Sequence, residues 1–183
     1  MQMVTEAAPR PITQAELAAV RRSVENVTDP EVPVLTLGDL GIVRDVRVVD
    51  DEPGTVEVDL TPTYSGCPAT EVIARMAADA VRRLGLRARV RTVLSPPWTT
   101  DWMTADGHRK LKEFGIAPPT GKAAAGPVLM TTGMSIGRRP ADLACPRCGS
   151  QDTSEVSRFG STACKSLWQC RSCGEPFDHF KAI

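Results

Sequence analysis

Four cysteines near the end of the chain have the spacing of a metal site. They form two C-x2-C pairs that are separated by 21 residues. Four thiolates brought together by two short turns suit tetrahedral Zn²⁺, which binds sulfur readily. A segment this short buries little apolar surface, so a bound metal would supply much of its folding energy. The predicted zinc ligands are Cys145, Cys148, Cys170 and Cys173.

A fifth cysteine, Cys164, lies between the two pairs and directly before Lys165. One interpretation, which we favour slightly, is a small buried side chain without chemistry. The other is an additional thiol, either activated by the neighbouring ammonium group or acting as a further sulfur in an iron–sulfur site. Because four cysteines already complete a tetrahedral site, we expect Cys164 to matter less for metal retention. The spacing leaves open whether this module holds zinc or a cluster.

The remaining cysteine, Cys67, is isolated in the segment Ser-Gly-Cys-Pro. Pro68 suits the first position of a helix, which would make Cys67 the N-cap. Free N–H groups and the helix dipole lower the pKa of a thiol at that position, so a reactive thiolate is expected. The alternative is a packed cysteine with no chemistry, and the residues support both equally. Only His108 and His179 could act as a base, and neither pattern favours a Cys/His hydrolase.

Hydrophobic periodicity predicts the elements that must position these residues. Apolar residues at helical spacing predict helices at about 13–26, 68–84 and 105–114, the first with a capping box formed by Thr13 and Glu16. Alternating β-branched residues predict strands at 42–49, 55–60 and 88–93, the first two joined as a hairpin. The alternation indicates one buried and one wet sheet face. We therefore predict an α+β fold, a small mixed sheet covered by helices, followed by a zinc-ribbon-like module.

Composition limits the function further. Lys plus Arg and Asp plus Glu both number 22, so the chain lacks the excess positive charge of a nucleic-acid coat or a polybasic membrane binder. No apolar run is long enough to span a membrane, and no secretory signal is present, so we expect a cytoplasmic protein with reduced thiols. Aromatic residues make up 4%, which disfavours a large aromatic-lined cofactor pocket. No phosphate-binding or nucleotide-binding motif occurs.

The chain divides into four predicted parts. Residues 1–11 are expected to be a flexible tail, and residues 12–117 the α+β domain. Residues 118–142 lack sustained periodicity and are predicted to be a linker, although 127–130 could pair as a strand or dock on a partner. Residues 143–183 form the cysteine module.

Several motifs resemble those of known proteins. Over about 13–117 the chain resembles the small α+β family tied to iron–sulfur cluster maturation, known as the MIP-like or SufT-like domain, through Asp29-Pro30-Glu31, Leu40-Gly41, Thr61…Gly66-Cys67-Pro68 and Pro97-Trp98…Trp102. The module from Cys145 onward resembles only one subfamily, the PaaD (or PaaJ) accessory proteins of the bacterial phenylacetyl-CoA epoxidase. That resemblance rests on Phe159-Gly160-Ser161-Thr162-Ala163-Cys164-Lys165 and Glu175-Pro176-Phe177-Asp178.

The resemblance implies an accessory protein with no catalytic activity of its own. The epoxidase of that system has a diiron oxygenase core and a reductase with flavin and a [2Fe–2S] cluster, and the family is thought to mature or deliver one of these iron centres. The reactive cysteine of the family corresponds to Cys67, and its acidic motif to Asp29 and Glu31, with Thr61 in the same set. A lone thiolate leaves coordination positions open, so Cys67 could bind iron or a cluster transiently, and a homodimer could supply a second thiolate.

Two other functions compete with maturation. One is a structural adaptor that docks epoxidase components, the oxygenase or the reductase, through the zinc ribbon. The other is a nucleic-acid-binding zinc ribbon, which the balanced charge disfavours. The expected cofactors are therefore Zn²⁺ in the C-terminal module and, in transit, iron or an iron–sulfur cluster.

Overall fold

The computed structural model of the protein describes residues 11–120 and 143–182. Most of the predicted tail and most of the predicted linker lie outside the described residues. The possible strand at 127–130 and residue 183 also lie outside them. The elements before residue 120 are α1 (Gln14–Glu25), α2 (Leu37–Leu40), β1 (Val43–Val48), β2 (Thr55–Leu60), α3 (Thr70–Arg82), β3 (Arg87–Thr92), a 3-10 turn (Thr100–Trp102) and α4 (Ala105–Phe114). Residues 143–182 contain β4 (Thr153–Ser157), β5 (Lys165–Cys170) and β6 (Pro176–Phe180).

The first sheet has the strand order β1-β2-β3. β1 and β2 form the predicted antiparallel hairpin, and β3 pairs with β2 in parallel. A parallel pair needs a crossover, which α3 provides between the two strands. α1 packs on β1 and on α3. The predicted α+β layer and its strand positions are thus confirmed, each strand end falling within one residue of its prediction.

The central strand β2 departs from the predicted alternation, because all of its residues are buried. Val58 belongs to the core beneath the helices, whereas Glu57 and Asp59 lie on the opposite face. Arg47 of β1 donates to Asp59 at 2.8 Å and also pairs with Glu57, and Arg91 of β3 donates to Asp59 at 3.1 Å. The prediction of one wet face was wrong because long arginine side chains of both flanking strands cover the shorter carboxylates between them.

The helices begin close to their predicted starts. The capping box of α1 is present: the Thr13 hydroxyl accepts from the Glu16 N–H at 3.3 Å, and the Glu16 carboxylate accepts from the Thr13 N–H at 2.9 Å. In α3 not every apolar side chain packs inward, since Val72 is 37% exposed. The face that packs on the core consists of Ile73, Ala77, Ala80 and Val81. None of the helices within the described ranges combines the length and apolarity that crossing a bilayer requires.

The short helix α2 was not predicted, because four residues are too few for a periodic signal. Thr36 and Asp39 form a second capping box, and the Lys110 ammonium group donates to Asp39 at 2.7 Å. This buried carboxylate therefore ties α2 to α4. α2 ends at Gly41, whose φ is +67°, and a Cβ there would lie 2.2 Å from the carbonyl oxygen of Trp102. Glycine is therefore required at the second position of the Leu40-Gly41 motif, because it adopts this backbone conformation and has no Cβ.

The C-terminal strands form a separate antiparallel sheet with the order β4-β5-β6. This sheet docks on the first domain through the backbone of Ala117, which donates to the Asp178 carbonyl at 2.8 Å and accepts from the Phe180 N–H at 2.9 Å. Phe180 and Cys164 are both part of the core cluster of the first domain. The ribbon therefore contributes two side chains to the core of the first domain, and a second cluster consists of Ala117, Leu143, Cys145, Trp168, Cys170 and Phe177.

A glycine substitution tests the α2 geometry. We expect Gly41→Ala to lower the free energy of unfolding by at least about 1 kcal/mol more than Gly54→Ala, measured by urea denaturation. Both glycines have positive φ, but a Cβ at Gly54 meets nothing within 4 Å. The control therefore isolates the collision with Trp102 from the cost of the left-handed backbone. Equal losses at the two positions would contradict the close approach.

Candidate metal sites

The four paired cysteines come together at one point. Their ligand atoms all lie within 4.8 Å of one another, with Cys145 Sγ 3.9 Å from Cys173 Sγ and Cys148 Sγ 3.6 Å from Cys170 Sγ. Four sulfurs bound at about 2.3 Å around a tetrahedral Zn²⁺ are about 3.8 Å apart. The sulfur positions thus fit a zinc ion bound by these four residues. Such an ion would link the two cysteine pairs of the ribbon.

Backbone geometry shapes both cysteine turns. Gly149 and Gly174 follow the second cysteine of each pair with φ of +76° and +78°. Their N–H groups donate to the carbonyls of Cys145 and Cys170, each at 2.9 Å. At Cys170, the N–H groups of Cys173 and Ser172 lower the pKa of the thiol to about 7. A thiolate is therefore available at neutral pH to begin metal binding.

Cys67 does not occupy the predicted N-cap position. The N-cap of α3 is Ala69, which makes no side-chain capping bond, and Cys67 lies two residues earlier in a turn. Its N–H donates to the Tyr64 carbonyl at 3.2 Å, and its own carbonyl accepts from the Thr70 hydroxyl at 2.8 Å. The N-cap prediction was wrong because Pro68 and Ala69 form a turn before the first helical residue.

The environment of Cys67 also reverses the predicted direction of its pKa shift. Burial raises the pKa of the Cys67 thiol, and the negative charge of Glu31 raises it further, while the N–H of Ala69 lowers it. The helix N-terminus is therefore outweighed by desolvation. Cys67 is half-buried, and in the absence of a cation it is a neutral thiol at physiological pH.

Asp29 and Glu31 play different parts beside this thiol. One carboxylate oxygen of Asp29 accepts from the N–H groups of Glu31 and Val32, both at 2.8 Å, which closes a tight turn. This turn presents Glu31, whose Oε2 lies 3.9 Å from Cys67 Sγ. Burial and the charge of Asp29 raise the pKa of the Glu31 carboxyl. The acidic motif thus lies next to Cys67, with Asp29 shaping the loop and Glu31 facing the sulfur.

Cys67 and Glu31 line a small cavity together with a residue of the other module, Cys164. The cavity has a volume of about 20 Å³, and Asp29 and Phe180 also contribute to its wall. This volume is enough for one water molecule or one ion and too small for an organic substrate. The cavity therefore has room for a single ion.

Two family models match the chain, one for each module. Residues 17–94 match the model for iron–sulfur cluster assembly proteins, and residues 132–181 match the model for the PaaD zinc beta ribbon domain. A protein of Escherichia coli (strain K12) that is named as a component of 1,2-phenylacetyl-CoA epoxidase is 45% identical over 161 residues, which cover 87% of this chain and 89% of that protein. The chain belongs to the PaaD family. The resemblance inferred from the sequence is thereby confirmed.

Two further relatives are named as Fe-S protein maturation auxiliary factors. YitW of Bacillus subtilis (strain 168) is 36% identical over 84 residues, which cover 45% of this chain and 79% of that protein. SufT of Staphylococcus aureus (strain USA300) is 35% identical over 80 residues, which cover 43% of this chain and 88% of that protein. Most of each maturation factor therefore corresponds to less than half of this PaaD family member.

The other predicted site residue, Thr61, is buried at the end of β2 but is not among the residues that line the cavity. Its N–H donates to the Ile42 carbonyl at 2.9 Å, and its hydroxyl has no hydrogen-bond partner among the described residues. A role for Thr61 in iron handling therefore stays a prediction. Neither histidine lines the cavity.

Sequence reasoning missed the position of Cys164. It is 4% exposed and lies apart from the group of four cysteines, so it is not a fifth ligand of that group within the described residues. The packed-cysteine interpretation matches its burial, yet Cys164 lines the same cavity as Cys67 and Glu31. One signal in the sequence could have indicated this docking. Phe180 is a large apolar residue at the end of the ribbon, so its burial required contact with another part of the protein.

Zinc content tests the assignment of the four ligands. We expect about one Zn²⁺ per chain by elemental analysis, and we expect Cys170→Ser to lose most of it, because three sulfurs hold zinc less tightly than four. Cys164→Ser should retain the parent zinc content, since Cys164 is outside the group. Loss of zinc from Cys164→Ser with retention in Cys170→Ser would show that the ligand set is different.

Alkylation rates test the electrostatics of Cys67. For protein that carries zinc alone, we expect the rate at Cys67 to rise with a midpoint at higher pH than that of an exposed thiol, because burial and Glu31 both raise the pKa of Cys67. Removing the carboxylate charge lowers that pKa, so Glu31→Gln should increase the thiolate fraction and the rate near pH 7. An unchanged or slower rate in Glu31→Gln would contradict the close approach of the two groups.

Proposed function

We propose that this protein is an accessory factor of a phenylacetyl-CoA epoxidase that helps to mature or deliver an iron or iron–sulfur centre through Cys67. The observation that carries the proposal is the pairing of the Cys67 sulfur with the Glu31 carboxylate at 3.9 Å beside an ion-sized cavity. The names of the relatives support both parts of the proposal, because one relative is named as an epoxidase component and two are named as maturation factors. The protein works in the cytoplasm and has no catalytic activity of its own.

The chemistry of the site suits temporary binding. A thiolate and a carboxylate bind transition metals, but two protein ligands leave coordination positions for an incoming partner. Cys67 is half-buried, so this residue is not sealed within the core. Binding of a divalent cation offsets the cost of ionising the buried thiol, and release to a client restores the neutral thiol. The client is the oxygenase or the iron–sulfur flavin reductase of the epoxidase.

A second function, a structural adaptor, is favoured by one observation. The ribbon exposes two large apolar side chains, Phe159 and Val156, which are 72% and 59% exposed. Apolar side chains in such positions suit docking on another protein. An adaptor would need these side chains and the zinc-bound ribbon, but it would not need the Cys67 thiol.

Growth and reconstitution separate the two functions. We expect Cys67→Ser to abolish growth on phenylacetate while the variant stays folded and keeps its zinc, and the epoxidase purified from those cells should be deficient in iron or in reductase cluster. Ser65→Ala, at an exposed position of the same turn, is the matched control and should grow normally.

Chemical reconstitution gives the discriminating result. If the protein only matures the epoxidase, iron and sulfide added to the deficient epoxidase should restore activity without it. If the epoxidase stays inactive after full metallation until the Cys67→Ser variant is added back, the adaptor function replaces maturation.

A further inference from the structure

The ribbon carries a groove of about 420 Å³ that is separate from the ion-sized cavity. Its wall contains two aromatic and two cationic side chains, those of Phe159, Trp168, Arg158 and Lys181. We propose that this groove docks an acidic segment of the client protein, with a carboxylate at the two cations and an apolar side chain against Phe159. The inference rests on the proposed function, which requires a client, and it adds how that client is recognised.

One face of the ribbon sheet forms the floor of the groove. Glu155 of β4 lies opposite Trp168 of β5, and Ser166 of β5 lies opposite His179 of β6. All four line the groove, as expected for positions that share one side of a pleated sheet. The next residue, Phe180, points the other way and belongs to the core of the first domain. A partner in the groove therefore contacts the face of β6 opposite to the one that lines the ion-sized cavity.

The apolar part of the groove is exposed to solvent. Phe159 is 72% exposed, which is the largest value for any large apolar side chain in the described ranges. The Lys181 ammonium group lies 5.2 Å from the centre of this ring, so an apolar and a cationic contact are offered side by side. Aromatic and arginine side chains are enriched where proteins bind one another. This wall therefore suits a protein segment with an apolar side chain next to an acidic one.

The charges of the groove favour an acidic partner. Neither Arg158 nor Lys181 forms an ion pair within residues 11–120 and 143–182. The Lys181 ammonium group donates only to the Arg158 carbonyl, at 3.3 Å. One carboxylate, that of Glu155, lines the same wall, so two cations face one anion. A carboxylate from a partner would complete this set with charge-assisted hydrogen bonds.

A buried polar atom of the groove wall also lacks a partner. His179 Nδ1 lies 3.3 Å from Ser166 Oγ, which accepts from the Trp168 indole N–H at 2.9 Å. The other ring nitrogen, Nε2, is buried without a hydrogen-bond partner among the described residues. Burial and the charge of Lys181 lower the pKa of His179 to about 4, so the ring is neutral at physiological pH. An unpaired buried polar atom is costly, and a docked segment that reaches it would remove this cost.

The chain's own segment 121–142 is a less suitable occupant. The residues on either side of it, Thr120 and Leu143, line the groove, so the segment starts and ends nearby. Its sequence contains three cationic residues and one acidic residue, namely Lys122, Arg138, Arg139 and Asp142. A net positive segment does not complement a groove with two unpaired cations. The charges therefore favour a separate, acidic partner.

Binding to the purified oxygenase and to the purified reductase tests the groove. We expect the zinc-loaded, full-length protein to bind one of the two by biolayer interferometry, more weakly as ionic strength rises. Lys181→Glu and Phe159→Ser should each weaken binding at least about tenfold, which corresponds to about 1.4 kcal/mol. Arg83→Glu and Leu84→Ser make the matched charge and apolar changes at exposed positions of the first domain and should bind like the parent.

The outcomes separate this inference from the proposed function. If the parent binds neither component, or if both groove variants bind like the parent, the docking site is overturned whatever Cys67→Ser does. If the groove variants lose binding while Cys67→Ser cells contain a fully metallated epoxidase, docking stands and maturation is overturned. A single-stranded oligonucleotide that binds the parent but not Lys181→Glu would assign the groove to nucleic acid instead. Zinc content measured on every sample shows that the ribbon is intact.

Cross-linking of the unaltered protein avoids variants that do not fold. A carbodiimide joins an amine to a carboxyl group as an amide, and it takes up the released water to become a urea. We expect a product in which Lys181 is joined to an aspartate or glutamate of the client. A link from Lys181 to Asp142 of the same chain, or to a second, isotopically labelled copy, would assign the groove to that occupant and overturn the inference. Links to the client from other lysines alone would also overturn it.

Discussion

The packing of Phe180 against Trp98 is the contact on which the candidate site depends. The two rings meet edge to face with centroids 6.2 Å apart, and the indole N–H donates to the Leu40 carbonyl at 2.8 Å. Phe180 is 1% exposed and lies at the end of the last strand of the ribbon, so its burial fixes the ribbon against the first domain. The ion-sized cavity lies between the two modules because this contact brings their walls together.

This arrangement gives the two metal sites different physical roles. The four cysteines of the ribbon have sulfur spacings that match a closed tetrahedral site, and a closed site contributes folding energy. The cavity is lined by residues of both modules, Cys67 and Glu31 of the first domain and Cys164 of the ribbon. Of the two cavity cysteines, Cys67 is half-buried and Cys164 is buried.

The fold was predictable from local signals, and the cavity was not. The capping box of Thr13, the hairpin and the C-x2-C pairs each depend on residues that are close in the sequence, and all three are present in the structure. The burial of Glu57 and the pKa of Cys67 depend on neighbours from other elements, which periodicity cannot identify. The family resemblance supplied Glu31 beside Cys67, but no sequence pattern placed Cys164 at the same cavity, since that cavity forms only when the two modules dock.

X-ray absorption at the iron edge tests the central claim most directly. It would be measured on full-length, zinc-retaining protein loaded anaerobically with one equivalent of Fe²⁺. The account predicts an iron shell with sulfur scattering that is lost in Cys67→Ser, together with oxygen scattering that changes in Glu31→Asp. An iron shell made only of oxygen and nitrogen, or a sulfur shell that Cys67→Ser leaves unaltered, would contradict it.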